Sequence, residues 1–398
     1  MLGNWLAQIG AVTVMNLRNV RERLGSTLVA LFGVTGVVTV VVGVLSINEG
    51  FRAVLQDAGA DDVAIVLRGG ATDEMTSGFG LNETRVIADA EQIARDADGL
   101  LVSSELYVII DIPLKSTGTA ANVPLRGVSA AAAPKLRQDF EITEGRMFTP
   151  GTFEVIVGRG AASEFAGLDV GQTLRSGSTS WLVVGRFRDL GSIAESEIWT
   201  DATVLQGAFN RGTSYQSVRA RLMSAQAFQA FKDSLTADPR LNVRVFTERQ
   251  YYEEQSRTMT AIVGTVGAVI AVLMGLGAVF AAVNTMYSAV SARAREIATL
   301  RALGFGAFPV VVSVLVEAAL IGAAGGALGM AIAYFAFNGL RASTLNFTSF
   351  SQITFAFTVT PQLAAQGLVY ALALGLLGGL LPSVRAARKP IIRGLREL

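Results

Sequence analysis

Four stretches of this chain stay apolar long enough to cross a bilayer, which takes about 20 residues of helix. They run near Leu28–Ile47, inside the uncharged run Thr258–Ala292, from Phe308 to Phe337 with Glu317 as the one interruption, and near Ala364–Leu381. The rest of the composition agrees: of 398 residues 51% are hydrophobic, and the mean hydropathy is +0.46, on the apolar side for a soluble domain. A cleaved signal peptide is the competing reading of the first stretch. Its apolar run is too long for an h-region, and no A-x-A-like site follows.

The arginines orient these spans. Arg18, Arg21 and Arg23 precede the first; Arg293, Arg295 and Arg301 separate the second from the third; Arg385, Arg388, Lys389, Arg393 and Arg396 follow the fourth. The loop between spans three and four holds Arg341 alone. By the positive-inside rule both termini are cytosolic and residues 49–257 lie outside. The expected order is an amphipathic elbow helix (1–24), span one (25–48), an extracytoplasmic domain (49–247), and a stalk running into span two (248–287). A short cytosolic helix (288–306), span three (307–340), a short outer loop (341–361), span four (362–383) and a basic cytosolic tail (384–398) complete it. In the elbow, Trp5, Leu6, Ile9, Val12, Met15 and Leu17 oppose polar positions, as a helix lying in headgroups requires. The fold class is therefore integral membrane, four transmembrane α-helices plus a large α+β extracytoplasmic domain between spans one and two.

Segment 49–257 carries 21 Lys/Arg against 28 Asp/Glu, a net charge of −7. Its patterning predicts strands at Asp62–Leu67, Leu101–Ile112, Glu154–Gly158, Trp181–Phe187, Ser217–Leu222 and Val243–Phe246, and helices at Asn82–Arg95, Thr200–Phe209 and Ala225–Leu235. The glycine-rich piece from about 130 to 215 reads as an inserted subdomain. Thr247 and Gln250 form a capping box, and from Glu248 to about Ala292 nothing stops the helix. Those residues reach roughly 65 Å at 1.5 Å each, against a hydrocarbon core of about 30 Å. Tyr251, Tyr252, Glu253 and Glu254 should then form a stalk above the membrane.

The chain has no cysteine and no histidine, so thiolate nucleophiles, disulfides, Cys/His zinc sites and a Ser-His-Asp triad are excluded. No GxxxxGK[ST] loop occurs, so nucleotide hydrolysis by that route is excluded too. With a net charge of +1, nothing argues for nucleic acid. What remains is SAVSARAREIATLRALGFG between Ser288 and Gly306, too short for a domain and placed to touch a cytosolic partner. Ile297, Leu300 and Leu303 share a helical face that could fill a partner's groove. Arg293, Arg295, Glu296 and Arg301 would form its rim, and Gly304 its left-handed cap. The bland alternative is that these arginines serve topology alone. Glu317, inside span three, should face protein or water, as a structural hydrogen-bonding group or a proton relay. Gly322-x-x-x-Gly326, Gly325-x-x-x-Gly329 and Gly375-x-x-x-Gly379 should let spans three and four approach closely.

Arg293-Ala-Arg-Glu-Ile-Ala-Thr-Leu-Arg-Ala-Leu-Gly304 resembles the coupling-helix motif R-x-x-E-I-(G/A)-x-L-R-A-L-G of the permease subunits of the MacB/FtsX family of ABC transporters. The tail LLPSVRAARKPIIRGLREL is similar to that family's closing segment, with Ser383 in place of the usual alanine. EGRMFTPGTFEVIVGRG, the GLDVGQTL turn and SWLVVGRF resemble its periplasmic core domain. The resemblance implies a dimeric permease in the bacterial inner membrane that binds no cofactor itself. It implies two copies of a cytosolic ABC ATPase carrying ATP and Mg, and a second permease copy or paralogue pairing through the first two spans. A periplasmic adaptor with an outer-membrane channel is an option. ATP-driven closure would move the outer domains, for export, efflux or extraction of a substrate outside the membrane. An FtsX-like regulator of a cell-wall hydrolase is the alternative.

Overall fold

The structure, a computed structural model, describes residues 8–10, 12–15, 24–54, 59–189, 192–292, 294–346 and 351–388. Trp5, Leu6, Leu17, Arg18, Arg21, Arg23, Arg293 and the tail from Lys389, with Arg393 and Arg396, lie outside the described residues. Two compact units emerge: a membrane unit (1–49, 261–340 and 357–398) and an inter-span domain (50–260 and 341–356).

Helix α1 (Leu24–Arg52) opens the membrane unit. The domain then follows as β1 (Val63–Arg68), α2 (Leu81–Ala88), a small β2–β3 pair (Arg95–Asp96 and Gly99–Leu100), β4 (Val102–Pro113), β5 (Ala120–Val128), β6 (Phe140–Gly145) and β7 (Glu154–Gly158). Next come α3 (Arg159–Glu164), β8 (Thr173–Ser176), β9 (Thr179–Asp189), β10 (Ile198–Asp201), α4 (Ala202–Ala208), β11 (Ser217–Arg221), α5 (Phe228–Ala237) and β12 (Val243–Thr247). The strands form one hydrogen-bonded path, β12-β1-β11-β4-β5-β10-β7-β9-β6, with β8 on β9.

The pivot of that path is β4. Its first residues, Val102–Glu105, pair with β11, whereas Leu106–Pro113 pair with β5. Leu106, Val108, Ile110 and Ile112 alternate along the second half and enter one core with Trp181 and Ile198. A separate core gathers Val66, Phe79, Ile87, Val218, Phe231 and Val245. Trp199 packs in a third with Phe187 and Phe148. Each fully buried tryptophan hides roughly 150–250 Å², about 4–6 kcal/mol before the entropy of ordering is subtracted.

The α+β class and four spans stand as expected, but several local boundaries differ. The helix expected at Asn82–Arg95 ends at Ala88, and Thr200 belongs to β10 rather than to a helix. Strands β5, β6, β8 and β10 escaped the periodicity reading, because three are short and β5 carries Pro124 and Gly127 in its pattern. The second half of β4 and β5 share one core with Val155, Trp181 and Ile198 of the 130–215 piece. The 341–361 loop is structured: β13 (Arg341–Asn346) and β14 (Ser351–Ala356) form a hairpin belonging to the inter-span domain. There the Thr354 N–H donates to Ser196 Oγ at 3.0 Å, and Phe355 meets Phe51 edge-on at 5.9 Å.

Helix α6 (Glu248–Ala292) is one 45-residue helix without an internal proline. The Thr247–Gln250 capping box is present, the Gln250 N–H donating to Thr247 Oγ1 and the Thr247 N–H to Gln250 Oε1. After α6 come α7 (Ala294–Ala302), α8 (Ala307–Phe337) and α9 (Pro361–Arg388). Four helical segments, Thr27–Arg52, Ala261–Ser288, Ala307–Phe337 and Pro361–Arg388, are long and apolar enough to cross a membrane.

The glycine motifs divide their work. Gly322, Gly326, Gly375 and Gly379 do bring α8 against α9, where a Cβ on any of them would collide with Ala371 or Ala318. Gly325 and Gly329 instead face α1, which corrects the expectation for that pair. Thr35 and Thr39 donate their hydroxyls to the Gly325 and Gly329 carbonyls at 3.2 and 3.1 Å. Backbones that close leave carbonyls within reach of a short side chain.

Candidate functional site

The domain end of α6 is gripped by buried charge. Arg126 on β5 lies between Glu197, which accepts from Nε and Nη2 at 2.8 Å, and Glu74, which accepts at 2.7 and 2.9 Å. Its Nη1 also donates to Glu105 Oε2 at 2.8 Å, and its guanidinium covers the Tyr107 ring at 4.8 Å. Arg219 on β11 donates to the same Glu105 oxygen at 3.1 Å, to Glu248 Oε1 at 2.6 Å and to Tyr252 Oη at 3.1 Å. Glu248, the first residue of α6, uses its other oxygen to accept from the Ala60 N–H. Arg137 stands 3.9 Å from both Glu105 and Glu248. All of these charged side chains are buried, Arg219 and Glu105 completely.

Glu105 sits where β4 changes partners, so the cluster ties both halves of the sheet to the first turn of α6. Burial pushes the Glu74 carboxyl up, but Arg126 and Arg219 outweigh it and hold the group far below the usual carboxylate range. Burial also raises Glu248, and there Arg219 and Arg137 only partly oppose it. Tyr252 is pushed by burial to about 12. Such a network contributes little net stability over apolar packing, yet removing one partner costs about 3–5 kcal/mol. It fixes geometry.

Tyr251 and Tyr252 were expected in a stalk outside the domain. They are instead 2% and 6% exposed within it, because the cluster draws the first turn of α6 into the domain. Glu253 and Glu254 do face solvent, and Glu254 lies 3.6 Å from Arg244. The Tyr251 hydroxyl has no hydrogen-bond partner among the described residues. It lines a cavity of about 20 Å³ together with Asp73, Glu74, Tyr107, Arg126 and Glu197, room for one water.

Sequence reasoning missed Glu74, Glu105, Arg126, Arg137, Glu197, Arg219 and Glu248. The signal was there: a charge inside an apolar strand pattern such as VPLRGV, SSELYVII or SVRAR marks a position that must be paired if buried.

In the membrane unit, α7 carries the predicted coupling residues. Gly304 at φ 94° ends it, the Phe305 N–H donating to the Leu300 carbonyl and the Gly304 N–H to that of Arg301, a left-handed helix stop. Arg295, Glu296, Thr299, Ala302 and Leu303 are exposed, Leu303 at 73%. Ile297 and Leu300 are half-buried instead. They line a small cavity with Val12 and Met15 of the N-terminal helical residues and with Val310 and Val314 of α8. Of the three apolar residues read as one docking face, the structure leaves Leu303 outward. Arg301 is half-buried. Glu317 is 3% exposed on the bundle side of α8.

Four helices of membrane-spanning length and apolarity, with one large α+β domain between the first two, define an integral membrane protein. Residues 27–238 match the model of the MacB-like periplasmic core domain, and residues 268–391 that of the FtsX-like permease C-terminal region. The chain belongs to the MacB/FtsX family of ABC permeases. It is 24% identical, over 99% of its length and 61% of the relative's, to the macrolide export ATP-binding/permease protein MacB of Hahella chejuensis. It is 26% identical, over 98% of its length and 59% of the relative's, to MacB 1/2 of Paracoccus denitrificans. The chain thus spans about three-fifths of the length of these relatives. The periplasmic region of MacB from Actinobacillus actinomycetemcomitans aligns with 48% of the chain and 91% of that structure, at 11% identity and a TM-score of 0.37.

Proposed function

We propose that this chain is the permease of a MacB-type ABC transporter, driven by a separate cytosolic ATPase, that exports or extracts a substrate on the outer side of the inner membrane. Both termini and α7 would be cytosolic and the inter-span domain periplasmic, as the arginine distribution favours. The observation that carries this reading is α6: one uninterrupted helix, locked at Glu248 into the domain and followed directly by the α7 segment. A stiff helix converts displacement at one end into displacement at the other.

A second copy of the chain fits the same helix. Ile262, Val266, Val269, Leu273, Leu276 and Phe280 recur in alternating steps of four and three, and every one is more than half exposed. That is a heptad seam, which a parallel copy complements. The relatives' names specify macrolide export; for this chain the substrate class proposed is one handled outside the membrane. Hydrolase control is not taken up, because residues 27–238 match the MacB-like core domain.

The test is co-purification of the full chain with its cognate ATPase. Leu303→Asp, on the exposed side of α7, should leave the chain membrane-inserted and reduce ATPase retention about tenfold or more, as loss of an interface anchor does. Wild-type retention and ATP-dependent transport in that variant would remove α7 from the role.

A further inference from the structure

The two faces of the membrane half of α6 differ in kind. Opposite the large residues of the heptad seam lie Gly267, Ala271, Gly275, Ala278 and Ala282, turned toward α1 and α9. Apart from the half-buried Met274 and Val279, which pack on the same cluster, this face is glycine and alanine, so little side-chain interlock resists a shift of α6 along its axis. One polar group does interlock. The Tyr370 hydroxyl of α9 donates to the Ala271 carbonyl at 2.5 Å, and it occupies the notch left by Gly275, where an added methyl would overlap it. One turn to either side along α6 the residue is Ala271 or Val279, and at steps of three it is Val272 or Ala278. Each carries the Cβ that Gly275 lacks, so the hydroxyl fits a single register. A second polar tie between these helices, Arg385 over the Tyr287 ring at 5.3 Å, uses a long side chain able to follow a shift.

We propose that Tyr370 is a detent: a positioning residue whose hydroxyl, seated at Gly275, holds α6 in one register against α9 until the assembly drives it out. This rests on α6 being the transmitting rod. It assigns the restraint on that rod to one hydrogen bond and one missing side chain.

The native chain has no cysteine, so paired cysteines report register without background. In the full chain in membranes, Leu374→Cys is combined in turn with Met274→Cys, Ala278→Cys and Ala282→Cys, and disulfide yield is measured after mild oxidation. With Tyr370 present the Ala278 pair should dominate, since Leu374 and Ala278 pack in one cluster. In Tyr370→Phe the Met274 and Ala282 pairs should rise about threefold to tenfold relative to it, the scale of one interhelical hydrogen bond in a membrane. Gly275→Ala, which evicts the hydroxyl from the other side, should produce the same redistribution. Tyr370→Phe added to it should change nothing further. Yields unchanged by Tyr370→Phe would overturn the detent, the more so if thermal melting shows the variant as stable as wild type. A redistributed ladder with undiminished transport would leave the detent standing and withdraw the rod.

Discussion

At Glu248 the helix α6 enters a nest of three guanidiniums and four carboxylates, nearly all hydrogen-bonded and all buried. From Ala261 to Ser288 the same helix has almost no burial of its own, with 17% of its most apolar window covered. Buried ion pairs have steep, directional wells, and one broken partner strands several charges. Glycine and alanine contacts bring backbones close by van der Waals packing without that directional pairing. The comparison teaches where this protein can afford to be rigid. The domain end must turn with α6, whereas the membrane end is tied to α9 by far fewer polar contacts, the Tyr370 hydroxyl foremost.

The largest effect that could break the contrast comes from Arg126. Arg126→Met takes the bidentate guanidinium from Glu74 and Glu197 and leaves Glu105 to Arg219, and it should destabilise the inter-span domain by about 3–5 kcal/mol in denaturant titrations of the full chain. A loss below about 1 kcal/mol would show the nest to be better hydrated than its burial indicates. The adjacent tyrosines sharpen it further. Tyr252→Phe removes the acceptor of Arg219 Nη2 and should cost about 1.5–3 kcal/mol, as hydrogen bonds to charged groups do. Tyr251→Phe removes a hydroxyl that no described protein group binds and should change stability by less than about 1 kcal/mol.

The smallest expected effect is a tilt with pH. The lowered Glu74 contributes stability above its ordinary value of 4.5, lost as pH falls through its depressed native value. The raised Glu248 contributes stability below 4.5, lost as pH rises through its native value. From these two groups alone, domain stability should peak near pH 4.5 and decline above it. Glu248→Gln should flatten the decline while retaining the acidic limb. An unchanged decline in that variant would assign the tilt to another group.

How much of this was legible follows from which physics writes itself into local pattern. Spans, the Thr247 cap, the uninterrupted run to Ala292 and the Gly304 stop depend on neighbours in sequence, and all were readable. The buried nest was not, because Glu74, Glu105, Arg126, Glu197, Arg219 and Glu248 come from six separate segments. The same limit explains Tyr251 and Tyr252, whose position on the helix was readable but whose burial depends on Arg219. In α7 the periodicity grouped Ile297, Leu300 and Leu303 on one face. Only packing by Val12, Met15 and α8 divided that face into two inward residues and one outward. The β13–β14 pair gave periodicity little to detect, because each strand is six residues long and the alternation is confined to Ile353-Thr354-Phe355.

The account stands or falls on whether α6 carries force as a solid element. Three glycines inserted after Arg257 would break the helix between its anchored and its membrane-spanning parts without touching the nest or α7. In the reconstituted assembly with its ATPase, ATP turnover should persist and transport should fall at least about tenfold. Transport at the wild-type rate with the glycines in place would contradict it.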